Sequence, residues 1–274
     1  MAIRVEAPQR SPHRFGLFSV AEIIEEPASP VFFGGTVWEP LPCEHPGLWP
    51  GPCGTTPIPE EKCAATQPDS PVTTPFTVYG SYWCDLVGRT PQDASDRAVQ
   101  HLQGGEQHAV EYAVWSGAAG AAPAFAGPDT VDLGTASCAA QLLERIYAYT
   151  DVAYSSEVVV HAPRPVMPWL ASAGVLVRSA DGGRVETQSG TPIAFGSGYT
   201  EAGTGPDGTQ ADPGSYWVYV TGPVVIRRGG ILRLPDPPSH GLDRRTNDYL
   251  ALAERTYLAA WDCITAAIQF TPSC

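Results

Sequence analysis

The chain has 274 residues, of which 43% are hydrophobic and 16% are charged, and its formal net charge is −13. This length is sufficient for a substantial hydrophobic core in one or two domains. The acidic balance argues against a protein that wraps nucleic acid, because such a protein presents a basic face to the phosphates. The sequence also lacks an apolar run of about 18 residues and the apolar core of a signal peptide, so we expect synthesis in a cytoplasm and no membrane contact.

Cysteine is the residue type with the most open interpretation. Cys43, Cys53 and Cys63 are separated by ten residues each in a segment rich in Pro and Gly, and Cys84 follows. Structural zinc sites usually take their ligands in close pairs, typically about two to four residues apart, so this spacing does not favour zinc. Buried thiols and disulfides formed after release from the cell both remain open.

The first 83 residues are poor in regular patterns. Residues 1–30 are irregular with one short apolar run, which is typical of an arm that packs against a neighbour. Residues 31–83 begin and end with strand-like runs, 31–38 and 76–83, around a long middle rich in Pro, Gly and Cys. Because this segment is too long and too sparse in core residues for an ordinary connection, we predict a projecting two-stranded loop, called the extended loop below.

A long helix is predicted over residues 91–115. Thr90 is a suitable N-cap, Pro91 fits the first helical position, and Asp93 completes a capping box. A stripe of mostly small residues is predicted to be its buried face: Ala94, Ala98, Leu102, Gly105, Ala109 and Ala113. Gly104 and Gly105 in its centre cost about 2 kcal/mol relative to alanine. They indicate a bend, a close approach by another surface, or a break into two helices.

Mixed α and β character follows the long helix. Gly196-Ser197-Gly198 follows a strand and is interpreted as a turn. One final strand is predicted near the C-terminus, with Leu258, Ala260, Ile264, Ala266, Ile268 and Phe270 on one face. The other predicted elements are helices at 137–149 and 165–174, a strand at 157–163, a hairpin around 181–183 followed by a third strand, and two strands bent at 222–223.

The sequence contains no arrangement of residues that predicts catalysis. It has no G-x-S-x-G elbow, no phosphate-binding loop and no H-E-x-x-H motif. His101 and His108 are interpreted as solvent-facing polar residues of the long helix, and His161 as a hydrogen-bonded core histidine. We therefore expect no catalytic residue, no cofactor and no metal site.

The order of these elements resembles the major capsid proteins of tailed bacteriophages, which have the Hong Kong 97 fold. Five stretches are similar to capsid proteins of actinobacterial phages: FTVYGSYWCDLVG, VVVHAPRPVMPWLASAGVL, GTPIAFGSGY, YWVYVTGPVVIRRGG and NDYLALAERTYLAAWDC. The resemblance implies an α+β fold. Its parts would be an N-terminal arm (1–30), the extended loop (31–83), the spine helix with the first part of a peripheral domain (84–135), an axial domain (136–220), and the return of the peripheral domain (221–274).

The function implied by the resemblance is self-assembly, as pentamers and hexamers, into an icosahedral shell around phage double-stranded DNA. The protein would then be a virion component assembled in the host cytoplasm, not an enzyme, and would contact the DNA without sequence specificity. Its other partners would be a portal, a scaffolding protein and a decoration protein. Longer family members carry an N-terminal region that is absent before the arm, so we expect a separate scaffold or none.

Two alternative functions remain open at this stage. An encapsulin-like compartment shell has the same fold and encloses a cargo enzyme. A sugar-binding or hydrolytic globular protein would use exposed tryptophans to stack sugars, although scattered aromatic residues more often pack between subunits.

Four features take specific meanings from the resemblance. Lys62 and Asn247, the single lysine and the single asparagine, would lie in the extended loop and the peripheral domain, where the namesake shell is cross-linked by an isopeptide bond. A gene rich in G and C also explains their rarity, and Asn247 could cap residues 248–254. The cysteines are a rival means of reinforcement. The paired glycines would bend the spine helix, so replacing both with alanine is predicted to stabilise the subunit and impair shell formation.

Overall fold

The computed structural model describes residues 8, 10–27, 34–47, 70–85, 89–154, 156–236, 241–243 and 245–273. Their regular elements agree with the predicted mixture of helix and strand. Within this part of the chain, no helix combines the length and the apolar character needed to cross a membrane.

The predicted long helix is confirmed as α1, Pro91–Ser116, a single helix of 26 residues. Its start has the predicted capping box: the Asp93 amide donates to Thr90 Oγ1 at 3.1 Å, and the Thr90 amide donates to Asp93 Oδ2 at 2.9 Å. These bonds satisfy amide groups that have no partner within the helix. The helix ends at Gly117, which adopts a left-handed conformation with φ 74°. Because α1 is continuous, the alternative of a break into two helices at its central glycines is excluded.

The first sheet lies under α1. In its described part, β14 is the central strand: β4 pairs along one edge of it, and β13, β12 and β11 pair along the other. The arm contributes β1, which pairs in parallel with β11. The strands are β1 (Glu22–Glu25), β4 (Phe76–Asp85), β11 (Val224–Arg228), β12 (Leu232–Leu234), β13 (Leu242–Asp243) and β14 (Asp248–Trp261).

The second sheet has the order β5-β15-β10-β6-β9-β8-β7 among the described residues. It mixes parallel pairs, such as β6 with β9, and antiparallel pairs, such as β10 with β15. Its strands are β5 (Val131–Ala136), β6 (Val159–Pro163), β7 (Leu176–Arg178), β8 (Val185–Thr187), β9 (Pro192–Gly196), β10 (Tyr216–Thr221) and β15 (Thr265–Phe270). The remaining helices are α2 (Ala139–Ala153), α3 (Met167–Ser172) and α4 (Ser197–Ala202).

The extended loop differs from its predicted form. Its described base is a short pair, β2 (Thr36–Val37) with β3 (Val72–Thr73), and the Thr36 and Thr73 hydroxyls lie 2.5 Å apart. The run predicted as its second side, 76–83, is instead most of β4 and pairs with β14 over ten residues. Apolar alternation in this run therefore arose from packing against α1, and not from a hairpin partner.

Two further predictions about single segments are wrong. The C-terminal stretch is two strands in different sheets, because Cys263 adopts φ 52° in the turn between β14 and β15. The predicted peripheral return, 221–274, is consequently divided between the two sheets. Gly196-Ser197-Gly198 does not form a simple turn but begins α4. Gly198 fits there because an added Cβ would lie within 2.6 Å of the Tyr112 amide nitrogen of α1.

Candidate assembly surface and its supporting contacts

The buried face of α1 departs from the predicted stripe after Leu102. Ala94, Ala98 and Leu102 are buried as predicted, but Gly105 is exposed. The buried face continues instead through Glu106 and on to Val110, Ala113 and Val114. Steps of four residues from Ala94 pass through Glu106, so the helical period itself was a signal that this carboxylate is buried. Sequence reasoning missed it because a charged side chain is rarely buried without partners.

Glu106 has those partners on the first sheet. Its Oε2 accepts hydrogen bonds from the Tyr257 hydroxyl at 2.6 Å and from Arg255 Nη1 at 3.0 Å, and Arg228 Nη1 lies 3.5 Å from Oε1. Burial and the bond to Glu106 raise the pKa of Tyr257 well above its usual value. The buried charge is therefore compensated by two guanidinium groups and a hydroxyl, and it fixes the position of α1 over β14.

Glu111 joins α1 to both the arm and α4. It is fully buried. Its Oε1 accepts the Leu17 amide at 3.0 Å and Gln107 Nε2 at 2.9 Å, whereas Oε2 accepts the Gly198 amide at 3.0 Å. Gln107 also donates to the His13 carbonyl at 3.1 Å. A single carboxylate thus satisfies amide groups from two segments that are distant in sequence, and it anchors the arm.

The central glycines of α1 lie beside the arm. A Cβ added to Gly104 would be 3.0 Å from Arg10 Cβ, but one added to Gly105 would meet no atom within 4 Å. Both glycines line a cleft of about 240 Å³ with His13 and His108. Close approach of the arm therefore explains the glycine at position 104 but not the glycine at position 105. A bend of α1 at these residues stays a prediction for the assembled state.

His108 and Ser197 of this cleft, together with Glu201 beside it, resemble a catalytic triad in their spacing. His108 Nδ1 lies 3.0 Å from Ser197 Oγ, and His108 Nε2 lies 2.5 Å from Glu201 Oε2. The Gly198 amide, the group that would stabilise an oxyanion after attack by Ser197, is already bonded to the Glu111 carboxylate. A negative charge at that position opposes the formation of an oxyanion, so the geometry does not support acyl transfer. His108 is a half-exposed bridge between α1 and α4, and not the purely solvent-facing residue that was predicted.

His161 is the hydrogen-bonded core histidine that the sequence predicted. It is fully buried, with Nδ1 3.0 Å from the Tyr199 hydroxyl and Nε2 3.0 Å from Thr221 Oγ1. Thr221 donates its own proton to the Gly222 carbonyl at 2.8 Å. Nε2 therefore carries the proton of a neutral ring, and Tyr199 donates to Nδ1. Burial lowers the pKa of His161 to about 3.

The face of the first sheet opposite α1 carries several exposed apolar side chains. Tyr79 and Trp83 of β4 are 67% and 66% exposed, and Leu250 of β14 is 45% exposed. Residues directly opposite each other in an antiparallel pair share a face, and the register pairs Trp83 with Leu250. We call this surface the outer sheet face; its residues are Tyr79, Trp83, Leu232, Leu234, Leu250 and Leu252. Ser81 and Glu254 lie between these apolar side chains on the same face, so apolar and polar residues alternate across the outer sheet face.

The cysteines and the candidate cross-link residues have different outcomes. Cys43 forms a disulfide with Cys263, with Cα atoms 5.7 Å apart, and Cys263 had not been predicted as a partner. Cys84 is buried on β4. Asn247 lies in the turn before β14 with φ 62°, a conformation that asparagine tolerates, and so does not cap a helix there. Lys62, Cys53 and Cys63 lie outside the described residues.

Searches with the sequence find no matching family model and no matching curated protein. Comparison of the fold gives matches over almost the whole chain. The capsid of an empty GTA particle, computed with C5 symmetry, has a TM-score of 0.60 and 12% identity, covering 99% of this chain and 94% of that chain. A structure from Gordonia phage Cozz has a TM-score of 0.51 and 16% identity, and the match covers 100% of this chain and 91% of that chain. A structure from Microbacterium phage Oxtober96 has a TM-score of 0.52 and 14% identity, and the match covers 100% of this chain and 96% of that chain. The chain therefore has the fold of phage capsid structures, as the resemblance of its segments implied.

Proposed function

We propose that this chain is a major capsid protein that assembles, as pentamers and hexamers, into an icosahedral shell around phage double-stranded DNA. The observation that carries the proposal is the agreement of fold over nearly the full length of both chains with assembled capsids. Scaffolding, portal and decoration proteins would be its further partners.

The outer sheet face supports self-association and suggests where it occurs. Trp83 and Leu250 are directly opposite each other, and Tyr79 is exposed on the same face of a sheet whose other face is covered by α1. Aromatic side chains of this kind dominate binding energy when they are buried between subunits. The net charge of −13 is compatible with DNA confined by a shell, since a coat that bound DNA tightly would hinder packing.

The polar contacts of α1 support a structural role. Glu106 and Glu111 are used to hold α1 to the sheet, the arm and α4, and the triad-like group beside them is blocked by Glu111. We therefore infer that the protein is not an enzyme. An encapsulin-like shell would have the same contacts, so the enclosed material distinguishes the two functions.

Expression of the chain with its neighbouring phage genes, followed by size-exclusion chromatography and negative-stain microscopy, tests the proposal. We expect closed particles in the megadalton range that contain DNA. Trp83→Ser should reduce particle yield on the order of tenfold or more, because it removes an aromatic anchor. Val152→Ser, which removes an apolar side chain that is also largely exposed at the end of α2, is the control and should assemble.

Three results would contradict parts of this proposal. A stable monomer near 29 kDa under all conditions would exclude a shell. Particles filled with a cargo protein and free of DNA would establish the encapsulin-like compartment shell instead. Normal assembly of the Trp83→Ser chain would exclude the outer sheet face as a principal contact.

A further inference from the structure

Residues 41–47 of the extended loop are bonded to the body of their own subunit at two places. Cys43 is bonded to Cys263 in the turn between β14 and β15, and the Leu41 carbonyl oxygen lies 3.6 Å from the Cys263 sulfur. His45 Nε2 lies 2.8 Å from the Asp151 carbonyl oxygen in α2. The disulfide thus joins residues 220 positions apart in the sequence and fixes the loop to the junction of the two sheets.

We propose that the Cys43–Cys263 bond is a redox-controlled latch that holds residues 41–47 of the extended loop on their own subunit and releases them when it is reduced. Its role in assembly rests on the proposed function, but the latch itself is a property of the single chain. Other described contacts at this site cannot replace the bond. Residues 41–47 are exposed apart from the half-buried Cys43, and the His45 contact is an exposed hydrogen bond that competes with water.

The chemistry of release is thiol–disulfide exchange with a small-molecule thiol of the kind that cells maintain. The thiolate attacks one sulfur of the pair, the S–S bond breaks, and a mixed disulfide forms with the other cysteine as a thiol. A second thiol then displaces the small molecule as its own disulfide. Cys43 and Cys263 gain two electrons and two protons in total, and the small-molecule thiols lose them. The reverse reaction uses the oxidised small-molecule disulfide.

The two redox states correspond to two surroundings of a phage coat protein. In a reducing cytoplasm, the two cysteines are thiols and residues 41–47 are no longer bonded to Cys263 while copies of the chain associate. After release into oxidising surroundings, the bond forms and fixes the loop at the sheet junction. The segment around Cys43 is therefore fixed to the sheet junction only after assembly is complete.

Limited proteolysis of the purified subunit with a protease that cleaves after glutamate tests the latch. Glu44 is exposed and lies next to Cys43, so cleavage after it reports directly on release of the loop. In the oxidised protein, we expect adding reductant to accelerate this cleavage on the order of tenfold, because local opening no longer requires movement of the sheet junction. Cys263→Ser should be cleaved rapidly with or without reductant. Cys138→Ser removes an exposed cysteine that forms no disulfide and should behave as the wild type.

Peptide mapping of the oxidised, unreduced protein gives an independent measurement, since a Cys43–Cys263 peptide pair must be present. Pairing of Cys43 with a different cysteine would overturn the proposal, as would equal cleavage rates after Glu44 in the oxidised, reduced and Cys263→Ser proteins. Both measurements use the unassembled subunit. Failure to form particles would thus refute the proposed function while leaving the result on the latch intact.

Discussion

Substitution of Glu111 provides the most direct measurement of how the subunit is held together. The carboxylate is fully buried and accepts hydrogen bonds from the Leu17 amide, the Gly198 amide and Gln107 Nε2 at 2.9–3.0 Å. Removing it in Glu111→Ala leaves these donors buried without an acceptor. At about 1–3 kcal/mol for each unsatisfied backbone donor, we expect a loss of roughly 4 kcal/mol in the free energy of unfolding.

Glu111→Gln removes the charge of the side chain and keeps its shape. Glutamine keeps one oxygen, but its NH₂ group must face either the Leu17 amide or the Gly198 amide, and two donors cannot bond to each other. We expect this variant to lose about 2 kcal/mol. Glu201→Gln is the matched control, because its carboxylate is 59% exposed and bonded to His108; it should change stability by less than about 0.5 kcal/mol.

Urea denaturation of the subunit, followed by both fluorescence and circular dichroism, measures these differences. Trypsin cleavage after Arg14, which is exposed in the arm, measures local release and should accelerate in both Glu111 variants. If Glu111→Gln unfolds within about 0.5 kcal/mol of the wild type and its arm stays protected, the carboxylate does not anchor the arm and the reasoning is wrong.

Two other features give measurable predictions. Gly80→Ala should lower the free energy of unfolding by about 2 kcal/mol, because its Cβ would lie 2.6 Å from the Ala98 carbonyl and the helix cannot give way as a side chain can. Gly105→Ala, whose added Cβ meets no atom within 4 Å, should raise the free energy of unfolding by about 1 kcal/mol in the same urea denaturation experiment. Equal effects of the two substitutions would contradict the packing of α1 on β4. The pKa of His161 is lowered to about 3 in the folded chain, whereas its usual value in the unfolded chain is near 6.5. Between these pH values the unfolded chain binds one proton at this residue that the folded chain does not bind. The free energy of unfolding should therefore be fully retained above pH 6.5 and fall by about 1.4 kcal/mol per pH unit below it. His161→Gln should flatten this slope in denaturation curves, whereas the exposed His101→Gln should not.

Local signals in the sequence predicted the parts of the fold that depend on neighbouring residues. The capping box of Thr90 and Asp93 fixed the start of α1 because both its bonds are made within one turn. The hairpin of β7 and β8 was predicted from Asp181, Gly182 and Gly183, which permit a tight turn. These features require no information about distant segments.

Predictions failed where a distant segment decides the structure. The run 76–83 alternates as a hairpin strand would, but its partner is β14, more than 160 residues later. At Gly198, α4 comes so close to the backbone of α1 that no side chain fits. The glycine is therefore required by a segment that is distant in sequence, and not by a turn. Glu106 and Glu111 were not identified because their partners, Tyr257 and the Leu17 amide among them, are far away in sequence. These long-range contacts cannot be deduced from a single sequence.

The contacts of α1 also restrict how its glycines can act in a shell. Before the glycines, α1 is packed on β4 at Gly80; after them, Glu106 binds Arg255 and Tyr257 of β14. Because β4 and β14 are hydrogen-bonded neighbours over ten residues, both halves of the helix are attached to the same rigid surface. A bend at Gly104 and Gly105 must therefore distort this sheet or break one of the two attachments. The bond between Glu106 and the sheet is the one that can be exchanged for water, so bending in the assembled shell should be accompanied by exposure of Glu106.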